Sequence, residues 1–451
     1  MIKTLTLIAF LCTNVYAGIE HAPSPFKTSY GRAVFVDFKS ATYNLIFDLR
    51  EKVAYADTTI NFESPSEGLP IFDNVSAPQA IWLNGQQVEN EEIYVPGGVS
   101  KIRIIKKTVP AGHHTMRIRS KVEKGTSYGF KGVSAGFFIK DLKNRMFLER
   151  YVPTNYEYDQ YQMTFNVEVT NASHRWHDIF ANGEVENYSQ NKFTVTYPEF
   201  YTASSVFFHL VPRRKFIRYY LEYPSISGRM IPVTIYSHFR FLNGYLKRKA
   251  WRVLAELEQD YGPWPHPKLI IYGTGLKGGM EYVGATATSL ISLGHELFHS
   301  YFAKGVMPAD GNSGWMDEGL ASWRDKGYQT HEMPNYYSVN LANHNSYTRK
   351  TDKRSYERGR SFFAYIDYQL KAQGLAGLKD FLAIHFVKRR FTTITTQDLI
   401  SDLEDYSGLS FKEDFNQYIF GGGEKVQRSP AIEFENPHHP EYTEEELQSI
   451  I

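Results

Sequence analysis
The chain has 451 residues, of which 42% are hydrophobic and 22% charged; these are ordinary globular proportions and exclude a mostly disordered chain. Its 50 Lys+Arg against 49 Asp+Glu give a formal net charge of +1, which leaves no electrostatic footprint for nucleic acid or an anionic membrane. The length allows about two or three domains, and the 33 Gly and 20 Pro exclude a collagen-like or low-complexity chain.

Lys3 precedes an apolar run over 5–12, and Val15-Tyr16-Ala17 follows it. This pattern predicts a secretory signal over 1–17, cut after Ala17, and a secreted or periplasmic destination. Cys12 is the one cysteine, so the mature chain is expected to hold together by its packed core, without disulfides. No later stretch reaches the roughly 18 apolar residues of a membrane span.

From about 30 to 210 the sequence is a series of short alternating runs rich in aromatic and β-branched residues, such as 43–47, 58–62, 101–105 and 193–197. Period-two patterning predicts strands, here an N-terminal β-sandwich over 18–212. Asn84-Gly85 and Asn182-Gly183 each read as a hairpin turn. Arg213-Arg214-Lys215 and the stretch 224–228 mark the expected junction. Beyond it, apolar residues fall at helical spacing over 246–257 and 361–370. The second domain is expected over 213–428, followed by an acidic, proline-punctuated tail over 429–451.

One constellation carries chemistry. His295-Glu296-Leu297-Phe298-His299 is an H-E-x-x-H motif inside a stretch, 290–304, whose Leu290, Leu293, Leu297 and Tyr301 form a helical stripe. Histidines four apart leave one helix face a turn apart, a spacing that suits two nitrogens on one tetrahedral zinc. The plainer alternative is two core histidines on an ordinary helix. Glu296, beside the first ligand, is placed to reach water on that metal. A second expected helix over 315–323 carries Glu318, separated from His299 by eighteen residues, as the third ligand. Asp325 lies two turns after Glu318 and can accept the free N–H of a ligand histidine. The plainer readings are a solvated glutamate at a helix start and a surface aspartate.

H-E-x-x-H, eighteen residues, then Glu318 within Trp315-Met316-Asp317-Glu318-Gly319, resembles the gluzincin zinc metallopeptidase family of membrane alanyl aminopeptidases and leukotriene hydrolases. Gly278-Gly279-Met280-Glu281-Tyr282 is similar to that family's G-A/G-M-E-N strand, and Tyr356-Glu357-Arg358-Gly359 to its Y-E-K/R-G. The resemblance implies a multidomain chain, an N-terminal β-sandwich followed by a thermolysin-like α+β zinc peptidase domain. It also implies one zinc per chain on His295, His299 and Glu318, with Glu296 as general base on a zinc-activated water and Tyr356 stabilising the oxyanion. Glu281 would bind the substrate's free ammonium, and Gly278, Gly279, Met280 and Tyr282 would line the substrate strand. The implied reaction is removal of N-terminal residues from peptides; the alternatives are an endopeptidase on the same zinc site, or a catalytically idle peptide-binding protein.

The sequence departs from the pattern in several places. Tyr282 stands where the family has asparagine. Thirteen residues separate Glu281 from His295, fewer than expected. Counting back from Pro153 puts Asn144, a poor match, near the family's second amine-binding group. The helical domain that covers the cleft in typical members is expected to be missing.

Overall fold
The computed structural model describes residues 18–422 apart from 190, 276 and 277. The expected signal segment and acidic tail lie outside the described residues. What is described is mostly β, with a smaller helical part that begins at Arg240, after the strand Met230–Ser237.

The long strands obey the period-two rule. Ala41, Tyr43, Leu45 and Phe47 of Asp37–Asp48, and Ala54, Ala56, Ile60 and Phe62 of Val53–Ser64, point to one buried face. The two strands pair antiparallel and sit at the centre of an eight-stranded sheet; Gln162–Thr170 joins it parallel to Asp37–Asp48. Its buried face packs on a four-stranded sheet through Val133, Ala135, Phe208 and Leu210. This two-layer packing needs no disulfide. A further five-stranded sheet carries its own core of Phe35, Ile71, Ile102 and Ile104, closed by Tyr156, Tyr158 and Tyr347.

Asn84-Gly85 is a hairpin turn: both residues have positive φ (49° and 80°), and Leu83 pairs with Gln86 across it. Asn182-Gly183 is not. The strands on either side, His177–Ala181 and Glu184–Ser189, belong to different sheets. Asn182 is buried; its amide donates to Ser205 O and Val283 O and its oxygen accepts from Phe207 N. The side chain there is a bridge between segments, which an N-G dipeptide does not disclose.

The later part of the chain opens with a five-stranded mixed sheet in the order Ile217–Pro224, Met230–Ser237, Leu269–Gly275, Ala285–Ser289, Gly279–Tyr282. Helices α1 (Arg240–Tyr261), α2 (Leu293–Phe298), α3 (Trp315–Asp325), α4 (Arg360–Ala372), α5 (Leu378–Arg389), α6 (Thr396–Ser407) and α7 (Lys412–Tyr418) pack around it. On α1, Leu242, Leu246, Ala250, Val253, Leu257 and Tyr261 make the buried stripe, and Gly262 at φ 93° ends the helix. The zinc-motif helix is shorter than the stripe over 290–304 predicts. It ends at Phe298, with His299 as its cap, and the chain then turns so that Lys304 N donates to His299 O (2.9 Å). All four stripe residues are still buried, so burial follows the periodicity while the hydrogen-bonding pattern does not. Among the described residues no helix is long and apolar enough to cross a membrane.

Candidate active site
His295 and His299 leave one side of α2 and meet Glu318 from the first turn of α3. Glu318 Oε2 lies 3.1 Å from His295 Nε2 and 3.6 Å from His299 Nε2; the ligand atoms of all three residues fall within 4.8 Å of one another. The outer nitrogens are engaged elsewhere. His295 Nδ1 is 2.7 Å from Asp325 Oδ2, and His299 Nδ1 is 3.1 Å from Phe302 O. Both partners are acceptors, so in the neutral imidazoles each Nδ1 carries the proton and each Nε2 presents a lone pair inward. Two lone pairs and a carboxylate then converge with no donor among them, and His299 Nε2 is buried without a hydrogen-bond partner. This donor set fits a divalent cation, and two imidazoles with one carboxylate suit zinc with a fourth position open. The same negative charge draws protons: although burial opposes it, the carboxylates of Glu281 and Glu318 push His299 up to about 9.

Tyr356 sits on a single π-helical turn, Ser355–Gly359, just before α4. Its hydroxyl donates to Glu318 Oε1 (2.6 Å), and its ring stacks beside His295 (centroids 6.1 Å apart, planes at 12°). Two glycines allow that reach. A Cβ on Gly359 would stand 2.8 Å from Gly319 Cα, and one on Gly319 would stand 3.0 Å from Gly359 Cα. The glycines that end the W-M-D-E-G and Y-E-R-G segments therefore touch each other, and this contact brings Tyr356 within reach of Glu318.

Glu296 is buried against the strand Gly279–Tyr282, where a Cβ on Gly279 would collide with its carboxylate. Burial raises its carboxyl to about 8, with His295 and His299 pulling it down and Glu281 and Glu318 pushing it up. The strand pairs antiparallel with Ala285–Ser289 alone and forms the sheet edge. Gly278, Gly279, His295, Glu296 and Tyr356 line one groove of about 620 Å³. Alternation divides the strand. Gly279 meets that groove and Glu281 a neighbouring chamber, whereas Met280 and Tyr282 turn to the opposite core with Phe207 and Tyr236. Tyr282 is fully buried, its ring edge-on to Phe207 and its hydroxyl accepting from Ile139 N (3.2 Å). The expectation that Met280 and Tyr282 contact substrate is therefore corrected: the pleat points them away from the cleft.

The chamber beside Glu281 is lined by Asp141, Glu157, Lys304, Asp310 and Asp317. Asn144 does not reach it; its amide donates to Val99 O and its oxygen accepts from Arg349 N. Asp141, three residues earlier, lines the chamber instead. Burial and the Glu318, Glu281 and Asp317 carboxylates hold its carboxyl well above the usual range. A signal for it did exist, since Asp141 is the one acidic residue between Glu123 and Glu149. Lys304 was also unforeseen. Its ammonium lies 3.4 Å from Glu281 Oε1, both side chains 6% exposed.

No protein-family model matches the sequence, and comparison with curated proteins finds no match. Solved structures do match. An M1 zinc metallopeptidase from Deinococcus radiodurans superposes with a TM-score of 0.59 at 16% identity, over 88% of this chain and 96% of that one. Legionella pneumophila aminopeptidase A in complex with aspartic acid gives 0.64 at 14% identity, over 89% of this chain but 51% of that one. Yeast LTA4 hydrolase in complex with Bestatin gives 0.64 at 12%, over 88% and 69%. Over nearly nine-tenths of its length, the chain has the fold of the M1 zinc metallopeptidases.

Proposed function
We propose that the chain is a zinc-dependent peptidase, with residues 18–212 as a β-sandwich domain and 213–428 as the catalytic domain, acting in a secreted or periplasmic space. The observation that carries this reading is the inward convergence of His295, His299 and Glu318, each histidine held by an acceptor on its far nitrogen. Zinc bound there supplies a Lewis acid that polarises a carbonyl and acidifies water.

The remaining work belongs to side chains of this chain. Glu296 takes the proton of the attacking water and returns it to the leaving amine; a carboxyl raised by burial is suited to both transfers near neutral pH. Tyr356 moves its hydroxyl from Glu318 to the developing oxyanion. Asp325 fixes the tautomer of His295. The edge at Gly278 and Gly279 pairs with an extended substrate backbone.

On the finer question, removal of N-terminal residues has Glu281 and Asp141 beside the cleft to receive an ammonium, and one of the similar structures is an aminopeptidase. Cleavage within longer or blocked chains is favoured by the ion pair that already engages Glu281. Digestion of a peptide library by the zinc-loaded chain, read by mass spectrometry beside Glu296→Gln, tests the reading. Cleavage is expected from the parent and not from the variant. Equal product from both, or none from the parent, would rule it out.

A further inference from the structure
Lys304 follows α2 by one turn and its side chain enters the chamber beside the metal-binding residues. Its backbone is held on both sides: Lys304 N donates to His299 O (2.9 Å) and Ala303 N to Val306 O (2.9 Å). The ammonium therefore arrives at Glu281 already placed, with its partner carboxylate 3.4 Å away and both side chains out of water. Resting on the peptidase reading above, we propose that Lys304 is a specificity-determining residue: by occupying Glu281 it removes the requirement for a free amino terminus, so that the chain accepts N-blocked and internal peptide segments.

The argument is one of competition for a single carboxylate. A substrate ammonium must be brought from solution and loses translational freedom on binding, whereas Lys304 is tethered and loses none. Displacing Lys304 also breaks the buried ion pair it makes with Glu281, which is costly where both side chains are out of water. Asp141 lines the same chamber as Lys304 and Glu281, so the tethered ammonium is already at hand for it as well. Asp310 and Asp317 accept backbone N–H groups from Ser313 and Glu318. Recognition then falls to the substrate backbone along the edge at Gly278 and Gly279, which is indifferent to charge at the first residue.

The test uses the full zinc-loaded chain with a pentapeptide and its N-acetylated twin. Hydrolysis is followed by mass spectrometry, and binding by calorimetry in the Glu296→Gln background. The parent should treat the twins alike, within about threefold in kcat/KM and in Kd. Lys304→Met frees Glu281 and should turn the preference toward the free amine by roughly tenfold to a hundredfold, the effect of one hydrogen bond to a charged group. The double variant Glu281→Met/Lys304→Met replaces the pair by apolar groups, keeps the fold where the single variant fails, and should be as indifferent as the parent. Glu281→Gln in the parent should affect both peptides equally. A parent that prefers the free amine by more than thirtyfold, or a Glu281→Gln variant that loses the free-amine peptide alone, overturns the inference. Peptides that bind in this pattern without being cleaved would remove the peptidase reading and keep the role of Lys304; absence of binding by either peptide would remove both.

Discussion
Tyr356 meets Glu318 through one hydroxyl, and that hydroxyl is all that Tyr356→Phe removes. Oxyanion stabilisation acts in the transition state, so kcat and kcat/KM should fall together by roughly 10²–10³ with KM little changed. Zinc content should be unaffected. Tyr347 and Tyr365 are the controls, because their hydroxyls are spent on Ser24 O and Asp414; their Phe variants should keep near-parental kcat. Steady-state kinetics on the three variants decides, and loss of turnover in Tyr347→Phe alone would mean the wrong tyrosine. At this scale much was legible. The four-residue step between His295 and His299, and the seven-residue step from Glu318 to Asp325, are helical distances that survive any arrangement of helices. The facing of Gly278–Tyr282 was not legible. Two of its residues lack side chains, so no hydrophobic alternation discloses which of Glu281 and Tyr282 faces the cleft.

Between α3 and the π turn, the Gly319–Gly359 contact sets how near Tyr356 comes to the ligand. Gly319→Ala inserts a methyl against Gly359 Cα and the Phe363 ring, both about 3 Å away. The turn must shift, and an ångström of displacement at the chemistry can cost about 10²-fold. Turnover should drop by at least tenfold, while overpacking costs about 1–3 kcal/mol and leaves the protein folded. Circular dichroism with kinetics checks this, and a Gly319→Ala enzyme with parental kcat would show that the contact does not control Tyr356. The elements themselves were partly legible. Periodicity located the buried faces of α1 and α4, because sterics and burial act on them over several turns. It overextended α2, since a buried stripe can continue through a turn such as 299–306 that is not helical. It misread Asn182-Gly183, where a tertiary role for the asparagine amide overrode local turn preference.

At the scale of the whole molecule, Arg349 ties distant parts together. It is fully buried, 3.0 Å from Asp73 Oδ2 and 3.4 Å from Glu149 Oε2, with its guanidinium 4.4 Å over the Tyr156 ring. Asp73 is 276 positions away in the chain. Removing one member of a buried pair leaves uncompensated charge and costs about 3–5 kcal/mol. Arg349→Met should thus lower the thermal midpoint by several degrees, without lowering zinc content in the surviving folded protein. An unchanged midpoint in a thermal scan would show that the bridge contributes nothing. The order of strands first and helices after was readable from the change of period, although two more strands, Ile217–Pro224 and Met230–Ser237, precede α1. How the layers meet was not, because periodicity says which face is buried and not what covers it. The core that joins Phe180, Phe207 and Val211 to Tyr236, Ile270 and Tyr282 is assembled from segments whose individual patterns give no sign of one another.

The account rests on one cation held by His295, His299 and Glu318, and elemental analysis of the purified chain beside His299→Ala measures this most directly. The parent should carry about one zinc per chain and His299→Ala should lose most of it while keeping its circular dichroism spectrum. A variant that retains as much zinc as the parent, or a folded parent that takes up none from a zinc-containing buffer, would contradict it.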